Sequence, residues 1–250
     1  MTDDLKEYVI GLADDALTLG HRLSEWSSNA PFLEEDLALS NVALDFIGRA
    51  RMFYQLAAEL ADDGSTEDDY AFLRDCREYR NLLIYELPRG DFAMTCARQF
   101  LIDQFNVLFL ERLCESAEAR LAAIAAKSLK ESRYHLRRSR EWMLRLGDGT
   151  DESHARLQQS LEQIWGYTPE MFAMGALEQR LLQAGVAVDR AALRAPWSSA
   201  VESVLSEATL SVPACDWEVS GGREGLHTEH LGFMLAEMQF LQRAYPGQQW

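Results

Sequence analysis

The sequence predicts an all-α protein, a bundle of four long helices followed by a smaller helical annex. Three observations carry this. Apolar residues recur at three- and four-residue spacing over long stretches near 3–28, 34–62, 91–116 and 118–146, and over shorter ones near 152–164, 169–184, 196–209 and 226–243. Period-two alternation of the kind a half-buried strand needs is hard to find. Of the six prolines, Pro31, Pro88, Pro169 and Pro196 stand at or just before the start of a periodic segment, where the missing N–H does no harm.

The breaks fall where the periodicity stops. "SSNAP" separates the first helix from the second, "DDGSTEDD" ends the second, "LPRGD" precedes the third, "LGDGTDES" ends the fourth and "VSGGREG" precedes the last. No repeated unit and no low-complexity segment interrupts them, so the 250 residues read as one domain, with a core bundle over about 3–146 and an annex over about 150–250.

Composition excludes several functions. A net charge of −16 leaves no basic stripe to displace counterions from phosphates, which argues against nucleic acid and favours, if anything, a basic partner. The cysteines, at 76, 96, 114 and 215, form no CxxC pair, and the opening "MTDDLKEYVI" is acidic rather than signal-like. These features predict a reduced, cytoplasmic protein. No run approaches the roughly 18 apolar residues of a membrane span, which predicts a soluble one.

Chemistry enters through acids on apolar faces. At about 100° per residue, Asp45 shares a face of the second helix with Ala38, Val42, Met52 and Leu56, and Gly48 stands three residues on. Asp103 lies with Cys96, Phe100, Val107, Leu110 and Cys114 on the third helix, and Asp15 near Tyr8, Leu12, Leu19 and Trp26 on the first. On the fourth, Leu129, Leu136 and Met143 define an arc that includes Ser132 and Ser139 and has His135 at its edge. A buried carboxylate is costly unless paired, hydrogen-bonded, protonated or bound to metal.

Carboxylate-bridged di-iron bundles take one carboxylate from each of two helices and Glu-x-x-His from each of the other two. Against that template the chain offers Asp15, Asp45-x-x-Gly48, Asp103 and Ser132-x-x-His135. In "SLKESRYHLRRSREW" the visible Glu131 is four residues before His135, one too many, and Ser132 holds the inward position. Three Asp and one His cannot supply two irons with their usual six protein ligands. Three readings stay open: ordinary polar residues on imperfectly assigned faces, a degenerate metal site, and an intact site of unusual composition. Without metal, Arg22, Gln99, Asn106 and His135 are the groups expected to satisfy the acids through a hydrogen-bonded network.

"LEEDLALSNVALDFIGRAR" (33–51), "KESRYHLRRSREWMLRLGDGT" (130–150) and "GLHTEHLGFMLAEMQFLQRAYPGQQW" (225–250) resemble the non-catalytic structural subunits of the bacterial ring 1,2-phenylacetyl-CoA epoxidases (monooxygenases), and the likeness spans nearly the whole chain. The resemblance implies a ferritin-like fold and a hetero-oligomer with a homologous catalytic subunit that holds the di-iron centre. It also implies electrons from NADPH through a separate reductase, and insertion of one oxygen atom from O2 across the aromatic ring of phenylacetyl-CoA in phenylacetate catabolism. This chain would hold no catalytic residue, cofactor or metal of its own, with Asp15, Asp45, Gly48, Asp103, Ser132 and His135 as the degenerate positions. Alone, it could pair as a homodimer. The alternatives are a stand-alone metalloenzyme with an Asp/His site and a helical adaptor unrelated to oxygenases.

Partner or coenzyme A contacts are sought elsewhere. "HTEH" sets His227 and His230 one turn apart with Glu229 between them, which fits capping or a contact between subunits better than a zinc site, since two further ligands at recognisable spacing are missing. "SGGREG" could offer a helix N-terminus and Arg223 to the phosphates of a CoA ester, although it lacks the lysine of a P-loop. The basic "RYHLRRSR" (133–140) reads first as a solvated flank and second as an interface. The six tryptophans are core or interface anchors, and the terminal Trp250 is expected to dock on a surface.

Overall fold

The computed structural model describes residues 2–248, and Trp250 lies outside the described residues. The all-helical class holds: among the described residues there is no strand, and the fold is ferritin-like in class. Among the described residues no helix is long and apolar enough to cross a membrane. The chain divides into two compact units. The first joins the sequence up to Pro88 to the segment that starts at Ser220, and the second is Arg89–Val219. The stretch read from sequence as one annex is therefore shared, its last part packing with the first hairpin.

In the first unit α1 (Thr2–Ser24) and α2 (Leu33–Ala61) form a long hairpin. Asp3 and Asp4 in the first turn of α1, and His21 and Arg22 in its last, complement the helix dipole. α2 stops at Asp62, which takes the left-handed conformation at φ 50° and returns its N–H to the Ala58 carbonyl. The helices approach closely at Gly20, where a Cβ would stand 2.8 Å from Ile47 Cγ1 and 3.2 Å from the Ala43 carbonyl oxygen. Gly20→Val is expected to destabilise the unit by about 1–3 kcal/mol through overpacking, and urea unfolding of the two proteins checks it.

Two short helices, α3 (Glu67–Phe72), capped reciprocally by Thr66 and Asp69, and α4 (Leu83–Glu86), flank an irregular stretch. The chain completes this unit with α10 (Glu229–Met238) and α11 (Phe240–Ala244). The sequence predicts one helix over 226–243; residues 226–228 are instead irregular and the helix is interrupted at Gln239.

The second unit is built on a hairpin of α5 (Phe92–Leu113) and α6 (Ala119–Gly147), joined by α7 (Asp151–Ile164), α8 (Ala176–Gln183) and α9 (Arg194–Glu207). Asp91 starts α5 by accepting the Met94 N–H at 2.9 Å, and Thr150 caps α7 through Ser153. The helix predicted over 169–184 is two pieces, a single 3₁₀ turn at Pro169–Phe172 and then α8. Ala173 turns extended, at ψ 142°, and the Glu178 carboxylate accepts the Gly175 N–H to begin the new helix.

α5 is buried nearly all round, its polar residues Arg98, Gln99, Asp103 and Asn106 included, and α6, α7 and α9 pack on it. Trp197 donates its indole N–H to the Leu101 carbonyl at 3.0 Å and meets Trp165 and Phe172 at centroid distances of 5.9 and 5.2 Å. Trp26 and Trp197 are core anchors as expected, whereas Trp217 is partly exposed, its ring against Tyr167 at 5.4 Å.

Candidate functional site: buried carboxylates in the two helical hairpins

In the second unit the inward line of α6 is Leu121, Ala125, Ser128, Ser132, His135, Ser139 and Met143. Its four-three spacing is that of a helix face, and its centre is small and polar where a bundle core is normally aliphatic. Opposite lies Asp103 of α5, fully buried. One carboxylate oxygen accepts Gln99 Nε2 at 2.7 Å, and the other accepts the Ser139 hydroxyl at 2.8 Å. Burial pushes the Asp103 carboxyl up to about 6, against the opposing pull of nearby His135, of the Ser139 and Gln99 hydrogen bonds and of Arg138. The structure thus brings Asp103 and His135 together and seats Ser132 on the same buried line, as the periodicity predicts.

In the first unit two successive acids of α1 have separate tasks. Asp15 binds a neighbouring loop: Arg223 forms a fork on it, Nη2 to Oδ2 at 2.6 Å and Nη1 to Oδ1 at 3.1 Å, and the Leu82 N–H donates at 2.8 Å. Arg223 Nη1 also donates to the Gly11 carbonyl at 3.0 Å and to the Arg80 carbonyl. The two candidate residues Asp15 and Arg223 therefore hold each other, and a CoA phosphate at Arg223 would compete with a carboxylate already in place.

Asp14, one position earlier, is completely buried and collects the Tyr54 hydroxyl, both Arg74 Nη atoms and the Arg80 N–H. Arg74 also lies over the Tyr79 ring, 4.3 Å from its centroid. Burial, and then the Asp14 charge, raises the Tyr54 phenol well above its ordinary range, so it stays a donor. Sequence reasoning singled out Asp15 and missed Asp14 and Arg74. The signal was present in "IGLADDALTLG", where two adjacent acids in an apolar helix cannot share one face.

Asp45 and Gly48 stand apart from this. The buried line of α2 runs through Leu39, Val42, Ala43, Phe46, Arg49, Ala50 and Phe53, leaving Asp45 half-buried and Gly48 exposed, with nothing within 4 Å of where its Cβ would be. Besides Glu35 near its start, α2 carries Arg49 inward, whose guanidinium sits 4.7 Å from the Phe46 ring centroid. Arg22 does not serve the acids as expected from sequence. It pairs with Glu25 at 2.7 Å and donates to the carbonyls of Glu86 and His230, each at 3.0 Å.

The remaining candidates divide. His227 is locked between Glu86 Oε2, at 2.7 Å from Nδ1, and the Tyr79 carbonyl, at 3.0 Å from Nε2. Glu229 is exposed and opens α10, and His230 is half-buried. In the basic stretch Arg133 meets Glu111 at 3.0 Å, and Arg140 meets Glu207.

These donors do not fit a di-iron centre. Both Asp103 oxygens are engaged by donors from their own hairpin and Asp15 is forked by an arginine. Gly48 has no side chain and Ser132 offers a neutral hydroxyl where the template asks for a carboxylate. Among the described residues no three His, Cys, Asp or Glu side chains cluster closely enough to hold a metal ion.

Comparison with known proteins agrees in family. One of the subunits of the 1,2-phenylacetyl-CoA epoxidase of Escherichia coli (strain K12) is 51% identical over 248 residues, covering 99% of this chain and all of that protein. The family model described as phenylacetic acid catabolic protein matches residues 1–250. With the match running the length of the chain, the protein belongs to the phenylacetic acid catabolic protein family.

Proposed function

We propose that this chain is the structural, non-catalytic subunit of a multicomponent di-iron monooxygenase that epoxidises the ring of phenylacetyl-CoA. It binds and stabilises the homologous catalytic subunit, which carries the irons and receives electrons through a reductase component. The kinship with a protein of an epoxidase complex supports the setting. The state of Asp103 carries the division of labour: a carboxylate aimed into a helical core, with one oxygen on Gln99 and the other on Ser139, serves its own hairpin rather than a metal. Ser132 fits the same role, since it stands on the buried line of α6 where a catalytic bundle would need a carboxylate.

Elemental analysis tests this. The chain purified alone is expected to be free of stoichiometric metal, and iron is expected in the co-expressed complex in proportion to the catalytic subunit. Stoichiometric metal in the lone chain, lost in His135→Ala or Asp45→Ala, would overturn the proposal in favour of a stand-alone metalloenzyme. That second reading has one observation in its favour, the buried His135 beside Asp103. Failure to co-purify with the catalytic subunit would favour an unrelated adaptor.

A further inference from the structure

The segment from Ser220 onward is fastened to the first unit largely by side chains that grip main-chain oxygens. Arg223 holds Asp15 and the Gly11 and Arg80 carbonyls. Gln239 donates to the Ala71 and Arg74 carbonyls at 3.2 and 3.0 Å, and Arg243 to the Leu73 and Arg74 carbonyls at 3.1 and 2.9 Å. Midway sits His227, with a ring nitrogen on each side bonded to an oxygen.

Its contacts suit a doubly protonated ring. The Tyr79 carbonyl can only accept, so Nε2 carries a proton. Around Glu86 the Thr228 N–H reaches Oε1 at 2.6 Å, the Thr228 hydroxyl reaches the same oxygen at 2.8 Å, and Asn81 Nδ2 reaches Oε2 at 2.8 Å. Glu86 thus accepts at both oxygens, and a proton on Nδ1 adds one more donor to that set. With both nitrogens protonated the ring is an imidazolium against the fully buried Glu86 side chain, and its own side chain is 2% exposed. A neutral imidazole has one N–H, so losing the proton would leave one nitrogen lone pair against an oxygen where water has no room to intervene.

We propose that His227 is a protonation-dependent latch that fastens the α10–α11 arm, strongest when the imidazole is charged and loosened when it is neutral. The other arm anchors are arginine, glutamine and threonine groups that do not titrate near neutrality. The charged and titratable groups around the latch are Glu86 on α4, Asp14 and Arg22 on α1, Arg74 between Asp14 and the Tyr79 ring, Arg223 on Asp15, and the Cys76 thiol near Glu86. Burial opposes the charge on His227, but the Glu86 and Tyr79 hydrogen bonds and the Glu86 and Asp14 charges outweigh it and raise the group above its ordinary value. With the closed value raised, the latch is fully present below about 6.5 and is lost as pH rises through the closed-state value. The arm it releases carries Phe233, Phe240 and Leu241 outward, so loosening it would change the apolar surface the unit presents.

Hydrogen exchange of the α10 amides from pH 6 to 9, divided by intrinsic exchange rates, tests the latch. The opening constant of Leu231–Leu235 is expected to rise by up to tenfold per pH unit once pH passes about 6.5, then to level off. In His227→Gln the profile is expected to be flat. The ¹⁵N shifts of the wild-type imidazole at pH 7 give a readout that no variant need survive to provide, with both ring nitrogens protonated as the expected result. A neutral imidazole at pH 7, or a wild-type opening constant that does not change with pH, would overturn the proposal.

Discussion

Arg74→Ala is expected to lower the thermal midpoint of the protein by roughly 10 °C, the largest loss among the single substitutions considered. The guanidinium forks the buried Asp14 carboxylate, donates through Nε to the Tyr70 carbonyl at 2.7 Å and covers the Tyr79 ring. Asp14 has no exposed surface. Removing one partner leaves the other charge buried and under-satisfied, which costs about 3–5 kcal/mol. In a chain of this size each kcal/mol moves the midpoint by about 2–4 °C. Arg74→Lys keeps the charge but loses the fork, so it should fall between wild type and Ala. Arg51→Ala is the control: its pair with Glu67 at 3.1 Å is largely exposed on the Arg51 side, and such pairs are worth about 0–1 kcal/mol. A midpoint for Arg74→Ala within about 2 °C of that control would show that the fork contributes little.

The same pair marks the limit of sequence reading. Periodicity located the four long helices and put Ser132 and Ser139, with His135 at the edge, on the buried line of α6, because the apolar residues of that helix repeat cleanly. Gln99, one of four groups expected to satisfy the acids, binds Asp103, since residues four apart on a helix are neighbours. α1 was harder. It is buried on nearly every side, so no polar face fixes its rotation, and the choice between Asp14 and Asp15 had no anchor. α2 was misjudged by one residue: Asp45 is 100° away from Phe46, and Phe46 rather than Asp45 continues the inward line to Arg49.

What sequence could not reach was the partnership across long separations. Arg74, Arg223 and His227 lie in irregular segments, where no period exists to read. Their partners Asp14, Asp15 and Glu86 are 60, 208 and 141 residues away along the chain. Arg223 and His227 drew attention for other reasons, as a phosphate ligand and as half of a His pair. Three-dimensional packing gives both of them carboxylates instead, and so turns two candidate ligand-binding residues into the fastenings of the C-terminal arm.

Asp103→Asn is expected to stabilise the protein at pH 7 by up to about 3 kcal/mol and to leave it nearly unchanged at pH 4. The carboxyl, pushed up to about 6 chiefly by burial, lies about 2 units above the ordinary value of about 3.9, and each unit is worth about 1.4 kcal/mol. Because the folded-state value is raised for an acid, the folded protein holds this proton more tightly than the unfolded chain. Its stabilising contribution is complete below about pH 4 and is lost as pH rises through about 6. Asn removes the charge and keeps both contacts: its carbonyl accepts from Gln99, and its amide donates to the Ser139 oxygen, whose hydroxyl can still reach the Leu136 carbonyl at 3.3 Å. The difference in urea-unfolding free energy between the two proteins, measured at pH 4, 5, 6 and 7, isolates this group from every other titration. His135→Gln, by removing the largest influence that opposes burial at Asp103, should move the window to higher pH. A difference that is the same at pH 4 and pH 7 would mean that Asp103 titrates in the folded protein as it does in the unfolded chain, and that burial is compensated more fully than Gln99, Ser139 and His135 account for. With a value of about 6 the carboxyl is protonated at pH 4 and largely ionised at pH 7, so the cost of burying its charge falls on the folded protein near neutrality.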